Sequence, residues 1–412
     1  MLVYNLSILL ARVVYRLASL FNSKANAFVK GRTDLFSNLA AAFKNNPGNP
    51  VWIHCASLGE FEQGRPIIEA LKKQDPSIKI LLTFFSPSGY EVRKNYPQAD
   101  YIFYLPWDTS SHAKRFIEIT RPSLAIFIKY EFWYNYTHEL KTNNIPIISA
   151  SSIFRADQVF FKWYGAFFRN ILKKFTHFFV QTPQSMELLK NIGITQTTLA
   201  GDTRFDRVFE ITQKADEIEI AKEFKANEKT IVVGSLWPED LELLAPFINE
   251  QKHSLKFILA PHEISERFIT QIEQAVDVKT VRYSRATDNL ESYSVLIIDN
   301  IGMLSKLYRY GEFAYVGGAF GKGLHNILEA ACYGIPIFFG DKNYQKFQEA
   351  NDLIMRGGAF AVGSYTDLKK NFELLNNKSE SFLLACEVTR SYVKENLGAT
   401  EKIISLCKTI LA

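Results

Sequence analysis

Glu60 is the residue of this sequence best placed to act as a general base. It lies in the segment Ala56-Ser57-Leu58-Gly59-Glu60-Phe61-Glu62-Gln63-Gly64, which follows an apolar run and has the pattern of a helix start. Gly59 allows a tight turn there, and the first N–H groups of a helix are free to bind an anion. A carboxylate at this place removes a proton if its pKa lies near the working pH. The same pattern also fits a carboxylate that only stabilises the first helical turn.

Two further segments carry charged side chains at places where chemistry is often found. Glu131 lies in Lys129-Tyr130-Glu131-Phe132-Trp133, just after an apolar run, and its aromatic neighbours suit sugar binding or charge stabilisation. Arg204 lies in Gly201-Asp202-Thr203-Arg204, and a guanidinium is a natural partner for a phosphate leaving group. The alternatives are an aromatic rim packed between helices for Glu131 and a surface or interdomain ion pair for Arg204.

A glycine-rich segment in the second half of the chain is typical of a loop that approaches a phosphate. It reads GGAFGKGLHNILEA over 317–330 and follows the apolar run 313–316. Asn326 has the pattern of a helix start, and Glu329 lies one turn further, where a carboxylate can accept hydrogen bonds from ribose hydroxyls. The segment lacks the GKS or GKT of a Walker loop and is not a GxGxxG after a first strand. A purely structural turn is the alternative.

The elements that must position these residues are short apolar runs alternating with amphipathic stretches. Runs rich in Ile, Val and Phe predict strands that are covered on both faces. In the first half they are 51–55, 79–85, 123–128, 146–150 and 176–180, and in the second half 230–234, 255–260, 295–299, 313–316 and 336–339. Stretches such as 64–74 and 185–192 have helical spacing. The alternation predicts an α/β protein with parallel, doubly wound sheets.

The alternation restarts after residue 210, so the sequence predicts two Rossmann-like halves with a cleft between them. The polar stretch 222–227 is interpreted as a linker. Ligands of such sheets bind at the carboxyl ends of the strands, and the cleft is therefore the expected site. A chain of 412 residues is long enough for two ordinary domains.

The excess positive charge of the chain is concentrated near its start. Residues 1–44 hold six basic side chains and one acidic side chain, which equals the whole net charge of +5. The basic residues lie among leucines and phenylalanines, which favours an anionic membrane surface over nucleic acid. Because Arg12 and Arg16 interrupt the apolar residues 2–20, an amphipathic helix in the membrane interface is favoured over a spanning helix or a signal peptide.

A second aromatic and basic stretch covers residues 155–179. It interleaves phenylalanines, Trp163 and Tyr164 with lysines and arginines, and is interpreted as a helix suited to a phosphorylated glycolipid. Core packing with a solvated basic face is the alternative. Cys55, Cys332, Cys386 and Cys407 form no CxxC pair and are predicted to be reduced, buried thiols.

In combination and order, these motifs resemble those of the 3-deoxy-D-manno-octulosonic acid (Kdo) transferases. The resemblance covers nearly the whole chain and includes Lys30-Gly31-Arg32 and Gly234-Ser235 besides the segments above. It implies a GT-B fold, with a membrane-associating segment at 1–44, an acceptor domain at 45–210 and a CMP-sugar-binding domain at 211–412. The resemblance leaves open whether the last helix packs on the CMP-sugar-binding domain or back on the acceptor domain.

The resemblance implies inverting transfer of Kdo from CMP-Kdo to the lipid A precursor lipid IVA, at the cytoplasmic face of the cell inner membrane. Glu60 then matches the general base, and Glu131 and Arg204 match positions that stabilise the transition state. The residues implied in CMP binding are Pro261, His262, Ile301, Gly302, Met303, Asn326, Ile327, Leu328 and Glu329. Neither a metal nor another cofactor is expected, since no Asp-x-Asp pair follows a strand.

The chain departs from the family pattern at two places. It reads Ala260-Pro261-His262 where the family often has Pro-Arg-His, so the arginine that reaches CMP is missing. It reads Ile301-Gly302-Met303 where the family has Met-Gly-Glu, so only backbone contacts carry over. A nucleotide-sugar epimerase of the same fold and a non-catalytic membrane-surface protein are the rival functions. The first leaves the basic N-terminus unexplained, and the second leaves Glu60 unexplained.

Overall fold

The computed structural model describes residues 2–214, 216–377 and 379–412, which form two compact units. The first unit runs to Asp206 and also includes Leu397–Ala412, and the second comprises Arg207–Asn396. The division falls four residues before the predicted boundary at 210, inside a helix. The last sixteen residues belong to the first unit, which is the alternative left open for the last helix of 211–412, because their apolar side chains Ala399, Ile403 and Cys407 pack in its core.

The first unit contains a parallel sheet in the order β3-β2-β1-β4-β5-β6-β7, seven strands among the described residues. These strands are β1 Val51–Cys55, β2 Ile80–Phe84, β3 Tyr101–Tyr104, β4 Leu124–Ile128, β5 Ile147–Ser152, β6 His177–Val180 and β7 Thr197–Leu199. Its helices are α1 Leu2–Ala18, α2 Ser23–Lys30, α3 Leu35–Asn45, α4 Leu58–Gln74, α5 Pro87–Arg93, α6 Ser110–Thr120, α7 Tyr134–Thr142, α8 Ala166–Leu172, α9 Pro183–Asn191 and, at the C-terminus of the chain, α19 Ala399–Leu411.

The second unit repeats this plan with the order β10-β11-β9-β8-β12-β13-β14, again seven parallel strands in the part of the chain described. These strands are β8 Thr230–Leu236, β9 Lys256–Pro261, β10 Thr280–Arg282, β11 Val295–Ile297, β12 Phe313–Val316, β13 Ile337–Gly340 and β14 Ala359–Val362. Helix α10 Thr203–Lys214 crosses the division, and the others are α11 Glu219–Lys225, α12 Pro238–Glu250, α13 Glu266–Ala275, α14 Leu304–Leu307, α15 Leu328–Ala331, α16 Gln348–Arg356, α17 Tyr365–Asn377 and α18 Ser379–Glu395.

Central strand β1 shows why these runs are apolar on both faces. Val51, Ile53 and Cys55 pack on the side of α4 and α19, whereas Trp52 packs on the opposite side with aromatic residues of α6 and α7. All five residues of the strand are buried. Covering both faces of a parallel sheet removes the alternation of apolar and polar residues that a half-exposed strand shows. The predicted α/β class with two doubly wound sheets is therefore confirmed.

Two predicted segments have other structures. The supposed linker 222–227 lies largely in helix α11, because Ala221 and Phe224 face the core and give the segment an apolar side. The stretch 155–179 is not one helix but a turn of 3-10 helix at Val159–Phe161, the short helix α8 and the start of β6. Most of its phenylalanines pack in the core, while Trp163 and Tyr164 are exposed.

Helix α1 packs on the first unit with one face and leaves an apolar face exposed. The Tyr4 hydroxyl donates to Asp108 at 2.5 Å, and Tyr15 packs against Phe28 and Trp107. The opposite face carries exposed aliphatic side chains, namely Val3, Leu6, Leu10, Val13 and Leu17. Within the described residues, no helix combines the length and the apolar character needed to cross a bilayer.

Candidate active site

The predicted site residues of the first unit gather at the carboxyl edge of its sheet. Strand β1 lies beside β4, with His54 level with Phe127, so the segments that follow the two strands begin side by side. Glu60 follows β1, and Glu131 follows β4. The thiol of Cys55, the last residue of β1, is buried. Its pKa is raised well above the ordinary value, mainly by burial and further by the negative charges of Glu60 and Glu131. Parallel pairing of β1 and β4 therefore brings the two carboxylates to the same edge of the sheet.

Glu60 lies in the first turn of α4, which begins at Leu58 after Ser57. In a capping box, the hydroxyl of Ser57 would accept a hydrogen bond from the backbone and the Glu60 carboxylate would reach back to the Ser57 N–H. Here Ser57 makes no side-chain capping bond, and its hydroxyl donates to the Glu60 carboxylate instead. Glu60 is half-buried. The carboxylate is thus oriented by a hydroxyl rather than used to cap the helix.

The predicted role of Gly59 in a tight turn is wrong. The residue is part of helix α4, it is exposed, and a Cβ atom there would meet only the Ser57 hydroxyl at 3.7 Å. A glycine is required where φ is positive or where another group approaches closely, and neither condition applies to Gly59. The turn after β1 is therefore set by Ser57 and the start of the helix.

Glu131 is held by two side chains from different elements. One of its carboxylate oxygens accepts from Trp133 Nε1 at 2.7 Å and lies 3.3 Å from His54 Nε2. The Glu131 side chain is 14% exposed, whereas His54 is fully buried. One edge of the carboxylate is fixed by these contacts while part of it remains accessible. The alternative of a purely aromatic rim does not describe this segment, since its carboxylate is positioned by hydrogen bonds.

His54 is a site residue that the sequence interpretation missed. Its Nδ1 lies 2.9 Å from the Thr83 hydroxyl, which also accepts a hydrogen bond from Trp52 Nε1 at 2.8 Å. Nδ1 also lies 3.1 Å from the Thr83 carbonyl oxygen, so the imidazole ring is held by Thr83 on one side and by Glu131 on the other. A histidine within an otherwise apolar, fully buried strand was the signal that could have identified it.

Arg204 is held at the start of α10 by Asp202. Its Nε and Nη2 atoms each lie 2.9 Å from Asp202 Oδ2, and its backbone N–H donates to Oδ1 at 2.9 Å. Gln63 of α4 donates to the same carboxylate at 2.8 Å, which ties this turn to the helix of Glu60. Burial opposes ionisation of Asp202, but the charge and hydrogen bonds of Arg204 hold the pKa below its ordinary value. Arg204 is therefore a fixed, partly exposed cation.

Backbone strain marks the same edge of the first sheet. Lys129 follows β4 with φ of 61°, and Ser151 near the end of β5 has φ of 52°. Residues other than glycine pay of order 1–3 kcal/mol for sparsely populated backbone conformations, which persist where the surroundings impose them. The Ser152 hydroxyl donates to the Lys129 carbonyl at 3.1 Å, and the Ser151 hydroxyl lies 3.2 Å from that of Thr203. Strand β5 is thus bonded through Ser152 to the segment of Glu131 and through Ser151 to the segment of Arg204.

In the second unit, the glycine-rich segment follows β12 and is held by a buried carboxylate. Asp240 of α12 accepts from the N–H groups of Gly318 at 2.9 Å and Trp237 at 3.1 Å, and from the Tyr315 hydroxyl at 2.9 Å. Burial raises the pKa of Asp240 despite these hydrogen bonds. At Gly317 a Cβ atom would lie 2.2 Å from the Ser235 carbonyl oxygen. Glycine is therefore required there by close approach of the backbone.

The rings of Trp237, after β8, and His262, after β9, lie beside His325 of this segment. Trp237 lies 4.4 Å from His262, and His262 lies 4.4 Å from His325, measured between ring centroids. Trp237 Nε1 donates to His325 Nε2 at 2.9 Å, and Lys322 Nζ lies 4.7 Å from the centroid of the Trp237 ring. Trp237 and His325 were not among the predicted site residues. Together with Lys322 they form an aromatic and cationic surface suited to a nucleotide.

The other residues implied in nucleotide binding lie on neighbouring turns of the second unit. The turn Ile301-Gly302-Met303 precedes α14, and Gly302 has φ of 95°. Asn326 lies just before α15, where its side chain accepts from Leu328 N at 3.3 Å and donates to Glu329 at 3.2 Å. The predicted helix start at Asn326 is thus two residues early, because this side chain caps the turn. Pro261 ends β9 and precedes His262.

We expect His325 to stay uncharged well below the pH at which an ordinary histidine titrates. Burial and the neighbouring His262 lower its pKa to about 4. Between pH 6.5 and pH 4 the unfolded chain then binds a proton that the folded chain does not, so the folded state loses stability as the pH falls through this range. Thermal unfolding of the wild type and of His325→Gln across this range measures the effect. A smaller loss of stability in the variant is expected, and an identical loss would contradict it.

No three His, Cys, Asp or Glu side chains in the described part of the chain are grouped to hold a metal ion.

Comparison with known proteins gives the family of the chain. Residues 30–207 match the family described as "3-Deoxy-D-manno-octulosonic-acid transferase (kdotransferase)". The 3-deoxy-D-manno-octulosonic acid transferase of Aquifex aeolicus is 32% identical over 348 residues, which are 82% of this chain and 89% of that protein. The chain belongs to the Kdo transferase family. The Haemophilus influenzae member is 27% identical over 387 residues, 89% of this chain and 88% of its own length.

Solved structures place this Kdo transferase in the GT-B fold. UDP-GlcNAc 2-epimerase from Neisseria meningitidis is similar with a TM-score of 0.62 at 15% identity, covering 87% of this chain and 100% of that one. MurG from Acinetobacter baumannii has a TM-score of 0.56 at 12% identity, covering 88% and 100%. At such identities the likeness shows the fold alone. Family membership, in contrast, makes the chain a glycosyltransferase of lipopolysaccharide synthesis that uses a sugar-nucleotide donor and a glycolipid acceptor.

Proposed function

We propose that this Kdo transferase moves Kdo from CMP-Kdo to lipid IVA with inversion at the anomeric carbon, and that Glu60 is the general base. The observation that carries the proposal is the Glu60 carboxylate at the start of α4, half-buried and oriented by the Ser57 hydroxyl. It lies at the carboxyl edge of a parallel sheet, where ligands of such folds bind. Its carboxylate is free of the helix-capping role that the sequence left open.

The reaction needs one proton acceptor and places for developing charge. As the acceptor hydroxyl oxygen bonds to the anomeric carbon, Glu60 takes its proton, and the bond from that carbon to the CMP phosphate oxygen breaks with its electron pair. The transition state is oxocarbenium-like, as in other glycosyl transfers, and Glu131 supplies a fixed negative charge to it. CMP leaves as a phosphate anion, so no carboxylic acid has to protonate it. The guanidinium group of Arg204 is proposed to stabilise the negative charge of the leaving phosphate.

The second unit is proposed to bind the CMP part of the donor. His262 stacks on Trp237 and offers a ring surface for the base, and Lys322 adds a positive charge beside it. The N–H groups of the loop 317–323 and the turn Ile301-Gly302-Met303 suit phosphate oxygens. Pro261, Asn326, Ile327, Leu328 and Glu329 complete the proposed contacts. Transfer is proposed to need no metal, so activity is expected to survive a chelator.

Attachment to the cytoplasmic face of the inner membrane is proposed through helix α1. Its exposed aliphatic face has the character of an interfacial helix, which buries one side in the lipid boundary. The exposed Trp163 and Tyr164 offer a second contact, since aromatic rings favour the membrane interface. Such an attachment suits a glycolipid acceptor, which stays in the membrane while its sugar reacts.

The stereochemistry of the product tests the mechanism. The anomeric configuration of the transferred Kdo is compared with that of Kdo in the donor by nuclear magnetic resonance. Inversion is expected, because one displacement assisted by one base gives it. Retention would contradict the single-displacement mechanism. Consumption of a nucleotide sugar without any lipid acceptor would instead favour the epimerase alternative.

Trp133→Phe is expected to lower kcat about tenfold while the KM for the donor stays nearly constant. The change removes the 2.7 Å hydrogen bond that fixes the Glu131 carboxylate but keeps an aromatic ring, and a hydrogen bond to a charged group is worth about 1.5–3 kcal/mol. Steady-state kinetics of Kdo transfer measure the effect. Trp163→Phe is the matched control, because Trp163 is 91% exposed and phenylalanine keeps an aromatic ring for the proposed membrane contact, so kcat should stay unchanged. Equal effects of both changes would show that Trp133 does not position Glu131.

A further inference from the structure

A cavity of about 520 Å³ lies beside helix α1 in the first unit and is lined by arginines from three segments. Arg12 and Arg16 come from α1, Arg32 from the loop after α2, and Arg115 from α6. Asp34 is the acidic residue of the lining, so the cavity carries an excess of positive charge. In the described chain, no carboxylate lies within ion-pair distance of any of the four guanidinium groups.

Arg32 is the most firmly held of these cations. It donates to the backbone carbonyls of Leu105 at 3.0 Å, Phe28 at 3.0 Å and Phe85 at 2.7 Å. Its guanidinium also lies 3.7 Å from the centroid of the Phe28 ring. Burial lowers its pKa to about 9. A buried cation that is bonded only to neutral groups leaves its charge uncompensated, which is costly unless an anion binds nearby.

The charges of the other arginines converge on the same space. His112 lies in the lining, and burial together with the charges of Arg12 and Arg115 lowers its pKa. The Arg115 guanidinium lies 4.7 Å from the centroid of the Phe36 ring, which keeps it over the cavity wall. Guanidinium groups bind phosphate with two parallel hydrogen bonds each, so several of them around one cavity favour a doubly charged phosphate.

Helix α1 links this cavity to the membrane. The same helix that contributes Arg12 and Arg16 exposes Leu6, Leu10 and Leu17, which are 67%, 64% and 60% exposed. An interfacial helix buries such a face at the boundary between acyl chains and headgroups. Its basic side chains then lie at the level of the lipid phosphates. The position of the cavity therefore selects a lipid headgroup over a soluble anion.

We propose that this arginine cavity binds the phosphomonoester headgroup of a membrane lipid. The proposal uses the proposed membrane attachment of α1 but none of the transfer chemistry. Phosphate monoesters carry close to two negative charges and three acceptor oxygens at neutral pH, which suits the number of unpaired guanidinium groups. Occupancy of the cavity would fix the orientation of the protein on the bilayer.

Sedimentation with vesicles tests the proposal without donor or acceptor sugar, so its failure leaves the proposed transfer reaction untouched. The wild type is expected to bind phosphatidylcholine vesicles containing phosphatidic acid more tightly than vesicles of equal surface charge containing phosphatidylserine. The double variant Arg12→Gln/Arg115→Gln is expected to lose this preference, with binding to phosphatidic acid about tenfold weaker or more. Circular dichroism checks that the variant is folded.

The control Lys24→Gln/Lys114→Gln removes the same charge from exposed positions outside the cavity lining. It should keep the preference for phosphatidic acid. If both double variants weaken binding equally, the effect is general surface charge and the proposal is wrong. It is equally wrong if wild-type protein shows no preference between the two lipids, or if inorganic phosphate gives the wild type the same thermal stabilisation as short-chain phosphatidic acid, since the cavity then selects free phosphate.

Discussion

Replacing Glu60 with glutamine is expected to lower kcat for Kdo transfer by roughly 10²–10⁴-fold, the usual contribution of a general base. Glutamine keeps the shape of the side chain, and its amide oxygen can still accept from the Ser57 hydroxyl. It cannot take the proton of the acceptor hydroxyl. The KM for the donor should change little, because Glu60 is not among the proposed CMP contacts. Product formation under saturating substrates measures the effect.

Glu62→Gln is the matched control for this prediction. Glu62 lies two residues further along the same helix, and its carboxylate pairs with Arg93 at 3.0 Å. The change removes an equal charge close to Glu60 without removing the proposed base, so kcat should stay within a few-fold of the wild type. A similar loss in both variants would indicate an electrostatic effect of the acidic turn. Full activity of Glu60→Gln would show that another group takes the proton.

Gly317→Ala is expected to weaken CMP binding about tenfold and to lower the free energy of unfolding by about 1–3 kcal/mol, as overpacking usually does. The added methyl would lie 2.2 Å from the Ser235 carbonyl oxygen and 2.5 Å from the Asp240 carboxylate. Either the strand end or Asp240 must move, and Asp240 holds both the loop and Trp237. Calorimetric titration with CMP and thermal unfolding measure the two effects.

Gly321→Ala tests whether this effect is specific to Gly317. Gly321 lies in the same loop, but a Cβ atom there would come no closer than 3.8 Å to its nearest neighbour, the Glu239 carboxylate. The substitution should leave CMP affinity and unfolding nearly unchanged. If it weakens binding as much as Gly317→Ala, the loop requires flexibility rather than the close approach seen at Gly317.

The strands that the sequence did not predict are the edge strands of the two sheets in the described chain. Tyr101–Tyr104 and Thr197–Leu199 lie at the edges of the first sheet, and Thr280–Arg282 and Ala359–Val362 at those of the second. The predicted strands all lie inside the sheets, where both faces are covered and the residues are uniformly apolar. Thr197–Leu199 and Thr280–Arg282 mix polar with apolar residues and lack that signal, whereas Tyr101–Tyr104 and Ala359–Val362 are apolar runs of four residues that the prediction missed.

Site residues that directly follow a strand could be predicted from the sequence, whereas site residues defined by contacts with distant residues could not. Glu60 and Glu131 each follow an apolar run, and parallel pairing brings the ends of such runs together. His54 and Trp237 gain their roles only from partners distant in sequence, namely Glu131 and His325. The prediction of one helix over 155–179 is wrong, because Phe160, Phe175 and Phe178 fill the core around Phe132 from separate elements.

The local sequence around Glu60 was ambiguous for a related reason, because the role of its carboxylate depends on one hydrogen bond. A Ser-x-x-Glu sequence before an apolar stretch is the signature of a capping box, and nothing local distinguishes a capping carboxylate from a catalytic one. The difference lies in the direction of one hydrogen bond, from the Ser57 hydroxyl to Glu60. The sequence could place Glu60 but could not orient it.

The most direct test of the proposed function is the mass of the lipid product formed from defined substrates. Purified protein is incubated with CMP-Kdo and lipid IVA in detergent micelles, and the lipid fraction is analysed by mass spectrometry. Lipid IVA carrying one or more added Kdo units is expected from the wild type and Glu62→Gln, and at least about a hundredfold more slowly from Glu60→Gln. Unmodified lipid IVA with wild-type protein, or Kdo lipid formed equally well by Glu60→Gln, would contradict the proposed function.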